Sequence, residues 1–120
     1  MMDIYTEIII DLYKNPINKG EMKNPTHENF RNNPLCGDEI KIQLRIENDK
    51  IKDVKFDGQG CAISQASASL LTDKIKNISV EEIKNLNKED ILGLLKIPIS
   101  PGRMKCALLS LDALKGALEN

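Results

Sequence analysis

The most regular pattern in the chain is a strict alternation. Ile40, Ile42, Leu44 and Ile46 are apolar, and Lys41, Gln43 and Arg45 between them are polar. Alternate side chains of a strand share a face, so this run predicts a half-buried β-strand. Asn48-Asp49 is turn chemistry, and a second strand carrying Val54 and Phe56 follows it, giving an antiparallel hairpin. Elsewhere the spacing is helical. Ile4, Ile8 and Leu12, with Tyr5 and Ile9, mark a first amphipathic helix that Pro16 closes after Asn15. From Asn15 to Asn33 the composition is rich in Asn, Pro, Lys and Gly, which predicts a long loop with room for a short edge strand near Phe30. "CAISQASASLLTDKIKN" places Ile63, Ala66, Leu70 and Ile75 on one side of a helix whose Ala and Ser density permits close packing on the sheet. Ser79 and Glu82 have capping-box spacing at the start of a short helix, and a further short helix spans Asn87 to Leu95. After the breaks at Pro98 and Pro101, a last helix from about Gly102 to Leu118 turns Ala107, Leu108, Leu111, Leu114 and Leu118 toward the core. The fold class expected is α+β: a small antiparallel sheet of about three strands with helices packed on one face, forming a single domain over residues 1–120.

Composition removes several function classes. With 17 basic and 18 acidic residues, and no basic face interleaved with aromatics, no nucleic-acid partner is expected. Apolar runs such as Ile8-Ile9-Ile10 are too short to span a bilayer, so no membrane partner is expected. Asp3 and Glu7 stand where a signal peptide would carry cations, which predicts a cytoplasmic protein. In a reducing compartment three cysteines serve packing, metals or catalysis rather than a disulfide framework. The single histidine, His27, reads as a solvated loop residue, because nothing beside it has ligand spacing.

The thiols fall at the ends of predicted elements. Cys36 precedes the first strand, Cys61 follows Gly58-Gln59-Gly60 at the exit of the second, and Cys106 lies in the first turn of the last helix. Cys61 and Cys106 each stand near a helix N-terminus, which favours a thiolate, and Arg103 and Lys105 add positive charge beside Cys106. Three cysteines leave one position of a tetrahedral site open, and Asp38 fills it if Cys36 and Asp38 point to one side of an extended chain across Gly37. Asp38 could instead cap a turn or pair with a lysine. Three thiolates and a carboxylate carry four negative charges, and either a zinc ion or an oxidised two-iron, two-sulfide core returns two positive ones, so the ligand set does not choose between them.

"YTEIIIDLYKNPINKG", "NNPLCGD", "FDGQGCAISQASASLLT" and "RMKCALLSLDAL", in this order over nearly the whole chain, resemble the IscU/SufU/NifU N-terminal family of iron–sulfur cluster assembly scaffolds. The resemblance implies a SufU/IscU-like domain, a carrier rather than an enzyme. Such a domain receives sulfur from a cysteine desulfurase, builds a transient 2Fe–2S cluster and passes it to apo iron–sulfur acceptor proteins. It also implies that Cys36, Asp38, Cys61 and Cys106 are the ligands, with each thiol a candidate persulfide acceptor, and that the desulfurase docks near Ile4 and Tyr5. Lys105 stands where IscU-type members have a histidine, and "RMKC" and "ISQASAS" look more like the SufU branch. That branch implies the alternative, a Zn²⁺-bound sulfur acceptor working as a zinc-dependent sulfurtransferase. The stretch from Cys61 to Cys106, however, has no room for the insertion usual in SufU. "IPISPGR" replaces the segment by which IscU-type scaffolds engage an Hsp70-type chaperone, which argues against chaperone-driven release.

Overall fold

The computed structural model describes residues 4–35 and 37–119. Helix α1 (Ile4–Lys14) leads through an irregular segment to strands β1 (His27–Asn33), β2 (Asp38–Glu47) and β3 (Lys50–Gln59). Helices α2 (Ala62–Ile75), α3 (Val80–Lys84) and α4 (Lys88–Leu95) follow, and a 3₁₀ turn (Pro101–Arg103) opens α5 (Met104–Leu118). The strands form one antiparallel sheet in the order β1-β2-β3. As expected, the architecture is α+β with helices against one face.

The alternation in β2 does what its period dictates: Ile40, Ile42 and Leu44 are fully buried on the helix side. Asn48 and Asp49 both adopt positive φ, 54° and 61°, the conformation of a tight two-residue hairpin turn. A bulge opposite Arg45 and Ile46 resets the register of β3, so Ile51, Val54 and Phe56 all face inward although Ile51 and Val54 are an odd number of positions apart. On the outer face, residues 21–24 cover β2. The Met22 N–H donates to Gln43 Oε1 at 2.9 Å, and Lys41 pairs with Glu21 at 2.6 Å.

Three expectations change. The edge strand expected near Phe30 is present but longer than a short insert in a loop, because His27–Asn33 pairs along its whole length with β2, and His27 opens that strand half-buried rather than standing in a solvated loop. Helix α1 buries only Ile9 and Leu12, leaving Ile4, Tyr5 and Ile8 of its apolar face exposed. Helix α2 is buried nearly all round, Ser64 through Ser69 included, while Ile63 and Leu70 are only partly covered. It lies between α1, α4, α5 and β3, and only Asp73 and Lys74 near its end are exposed.

Candidate metal centre

Two backbone devices bring the end of β3 to the start of β2. Glu39 pairs with Gln59 and Ile40 with Gly58, and Gly58 takes a φ of 136° at a point where a Cβ would run into the Glu39 carbonyl. At the same end of β2 the connection from β1 closes when the Gly37 N–H donates to the Asn33 carbonyl at 2.9 Å, with Gly37 at φ 76°. The chain turns at Gly37 rather than running extended. Cys36 itself lies outside the described residues.

Asp38 is 1% exposed. Its Oδ1 accepts the backbone N–H of Cys61 at 2.9 Å, and the Cys61 thiol lies 3.8 Å from Oδ2. Cys61 is the N-cap residue of α2, with extended φ and ψ, and Ser64 Oγ donates to its carbonyl at 3.0 Å. Asp38 thus anchors the backbone where α2 begins, and the same side chain faces the thiol. Gly60 makes this approach possible, because a Cβ there would collide with Asp38 Oδ1 and stand 2.6 Å from Ser64 Oγ.

Helix α5 supplies the third group. Ser67 Oγ of α2 donates to the Ala107 carbonyl at 2.6 Å and lies 3.2 Å from Ser110 Oγ, locking the opening turns of the two helices together. That lock sets Cys106, 2% exposed, across from Cys61. One oxygen of Asp38 and the sulfurs of Cys61 and Cys106 all lie within 4.8 Å of one another. In a tetrahedral zinc site, with bonds of about 2.3 Å to sulfur and about 2.0–2.2 Å to oxygen, neighbouring ligand atoms are about 3.5–3.8 Å apart. The three groups fit such an ion after closing in by about an ångström or less. Two soft sulfurs and one hard oxygen suit zinc or iron rather than magnesium or calcium.

The other sequence candidates lie outside this cluster. Lys105 and Arg103 are exposed, and Lys105 lines a surface cleft with Asn33, Pro34, Leu109 and Asp112. Ile4 is 64% exposed, and Tyr5 carries the Lys96 ammonium 5.5 Å from its ring centroid. Gly60, Ser64 and Ser67 were not singled out from sequence as parts of the site. The available signal was a glycine directly before a cysteine, followed by hydroxyls at helical spacing.

A small antiparallel sheet with helices on one face carries at its end a cluster of one carboxylate and two thiols that could hold a metal ion. Residues 4–120 match the NifU-like N terminal domain, and the chain belongs to that family. It is 36% identical to the zinc-dependent sulfurtransferase SufU of Bacillus subtilis, over 93% of this chain and 87% of that protein. To the iron–sulfur cluster assembly scaffold protein IscU of Thermotoga maritima it is 35% identical, over 97% of this chain and 93% of the relative. A crystal structure assigned to a SUF-system iron–sulfur cluster assembly scaffold of Fervidobacterium islandicum superposes with a TM-score of 0.81 at 31% identity, covering 93% of this chain and 94% of that one.

Proposed function

We propose that the protein is a cytoplasmic scaffold for iron–sulfur cluster assembly. It takes sulfur from a cysteine desulfurase, holds a transient 2Fe–2S cluster on Cys36, Cys61, Cys106 and Asp38, and passes it to apo-acceptor proteins. The observation that carries this reading is the convergence of Asp38, Cys61 and Cys106 within 4.8 Å at the end of the sheet, from three separate elements. Cluster assembly needs soft anionic ligands held together and a route for sulfur to reach them. The burial of Cys106 and Asp38 supports holding, and the half-exposure of Cys61 supports entry. In this reading Cys61 is the best placed of the described thiols to accept persulfide sulfur, and Lys105 and Arg103 offset cluster charge from the rim. The protein acts as a carrier, its cluster being cargo rather than a resident cofactor.

A second reading has an observation of its own. The cluster's dimensions suit a single tetrahedral ion, and Lys105 occupies the place of a family histidine. Both features favour a zinc-bound sulfur acceptor, the role that the name of the Bacillus subtilis relative gives to that protein. Anaerobic purification followed by iron, zinc and acid-labile sulfide analysis and a visible spectrum separates the two. Brown protein with iron and sulfide supports the scaffold, and colourless protein with one zinc supports the sulfurtransferase.

A further inference from the structure

Among the described residues, the buried side-chain nitrogen or oxygen without a hydrogen-bond partner is Gln65 Nε2, on a residue 3% exposed. Its orientation is fixed. Lys19 Nζ donates to Gln65 Oε1 at 3.3 Å, and an ammonium has only protons to offer, so the oxygen must face Lys19 and the NH₂ must face inward. Burying such a donor unpaired is costly, and native structures pair nearly all of them. Gln65 is also one helical turn beyond Cys61, its backbone N–H donating to the Cys61 carbonyl at 3.1 Å. Gln65 is the fourth residue of α2 and Cys61 its N-cap, and helical side chains lean toward the N-terminus, so the Gln65 side chain leans toward the turn that opens at Cys61. As a thiol Cys61 is itself a donor, to Asp38 Oδ2, and offers the amide little. A sulfur that ligates a metal is an acceptor.

We propose that Gln65, braced by Lys19, is a positioning residue that donates a hydrogen bond to the sulfur of Cys61 when the site holds metal. The inference rests on the metal-site reading above and adds a partner outside the ligand set. Hydrogen bonds from beyond the ligands orient them and tune the bound ion, and removing one typically weakens metal binding about 10–100-fold. The arrangement also assigns a cost: the unpaired amide destabilises the metal-free protein and is satisfied on loading.

The test is cobalt(II) binding to the full chain, followed by the thiolate-to-cobalt charge-transfer band and by chelator competition, together with melting of the metal-free protein. Gln65→Met keeps length and removes the donor. It is expected to weaken cobalt binding at least about tenfold, shift the charge-transfer band and raise the metal-free melting temperature. Lys19→Met alters only an exposed brace, leaves the fold intact and is expected to weaken binding in the same direction. Wild-type cobalt affinity and an unshifted band in Gln65→Met, with a lowered melting temperature, would overturn the inference and make the amide an anchor for internal water. A wild-type protein that binds no cobalt overturns the metal-site reading and this inference with it.

Discussion

The carboxylate of Asp38 divides its two oxygens over one residue: Oδ1 accepts the Cys61 N–H at 2.9 Å, and Oδ2 lies 3.8 Å from the Cys61 sulfur. One side chain at the start of β2 thus fixes both the main chain where α2 begins and the thiol that projects from it. The N–H is held by Oδ1, while the thiol faces Oδ2. Any change moving Asp38 therefore moves the cap of α2 as well.

Gly60→Ala tests that coupling. The added methyl would press on Asp38 Oδ1 and Ser64 Oγ, neither of which belongs to a long flexible side chain. Overpacking of this kind typically costs about 1–3 kcal/mol. The expected result is a lower melting temperature together with metal affinity reduced by at least tenfold, as an order of magnitude. Gly37→Ala is the control. It meets no atom within 4 Å but sits at φ 76°, so it should lose stability through backbone strain, about 1 kcal/mol, without that steric effect on Asp38. Equal metal affinities in the two variants would show that the close approach of Gly60 to Asp38 does not shape the metal site.

The cysteines should be far less forgiving. A serine hydroxyl is a neutral, harder ligand than a thiolate, so Cys61→Ser and Cys106→Ser are each expected to lower zinc or cobalt affinity by orders of magnitude. Cys36→Ser should do the same if its thiol joins the cluster. Equilibrium chelator competition measures all three, and wild-type affinity in any one removes that residue from the ligand set.

The hairpin was legible in the sequence because its signal is local: alternating side chains in β2, then Asn48-Asp49 at the turn. Strand β1 was legible only as a short edge strand near Phe30 and not over its full seven residues, because "HENFRNN" contains one apolar residue, Phe30, and that residue is half exposed. An edge strand is held by the ladder to its neighbour and by contacts such as Asn29 Nδ2 donating to the Ala113 carbonyl, and hydropathy records neither. The burial of Ser64, Ser67 and Ser69 was hidden for a related reason. Each hydroxyl is satisfied within the core, by the carbonyls of Cys61 and Ala107 and by the Ile17 N–H respectively, so polar residues line a buried helix at little cost. Asp38, Cys61 and Cys106 could be chosen from element ends, but their mutual distances depend on the Ser67 lock between α2 and α5, which has no one-dimensional trace.

Tyr5→Ala addresses the docking surface. Tyr5, Ile4 and Ile8 form an exposed apolar stripe on α1, and Tyr5 contributes little to the core. The variant should therefore keep its melting temperature within a degree or two, about 0.5 kcal/mol, since surface substitutions rarely cost more. Its affinity for a cognate cysteine desulfurase should fall at least tenfold, the loss typical of a contact aromatic. Unchanged desulfurase affinity by calorimetry would move the docking surface away from this end of α1.

The last prediction concerns what Asp38 does during release. Oxygen is a harder ligand than sulfur and holds iron less firmly, so a carboxylate among thiolates is the arm most readily displaced by an acceptor's thiols. If Asp38 is that arm, Asp38→Ala slows transfer, and a reconstituted cluster persists at least as long as in wild type when challenged with an apo-acceptor under anaerobic conditions. The structure adds a complication, because alanine also strips the Cys61 N–H of its acceptor and so loosens the start of α2. Asp38→Asn separates the two effects. Its side-chain oxygen can still accept from Cys61, while its charge is gone and its affinity for iron is weak. If release is governed by the ligand, both variants retain the chromophore longer than wild type. Should the Cys61 cap matter more, Asp38→Asn would resemble wild type in stability while Asp38→Ala melts lower and bleaches sooner. Faster bleaching of both variants than of wild type would sink the labile-arm idea, leaving Asp38 as a ligand that simply holds metal.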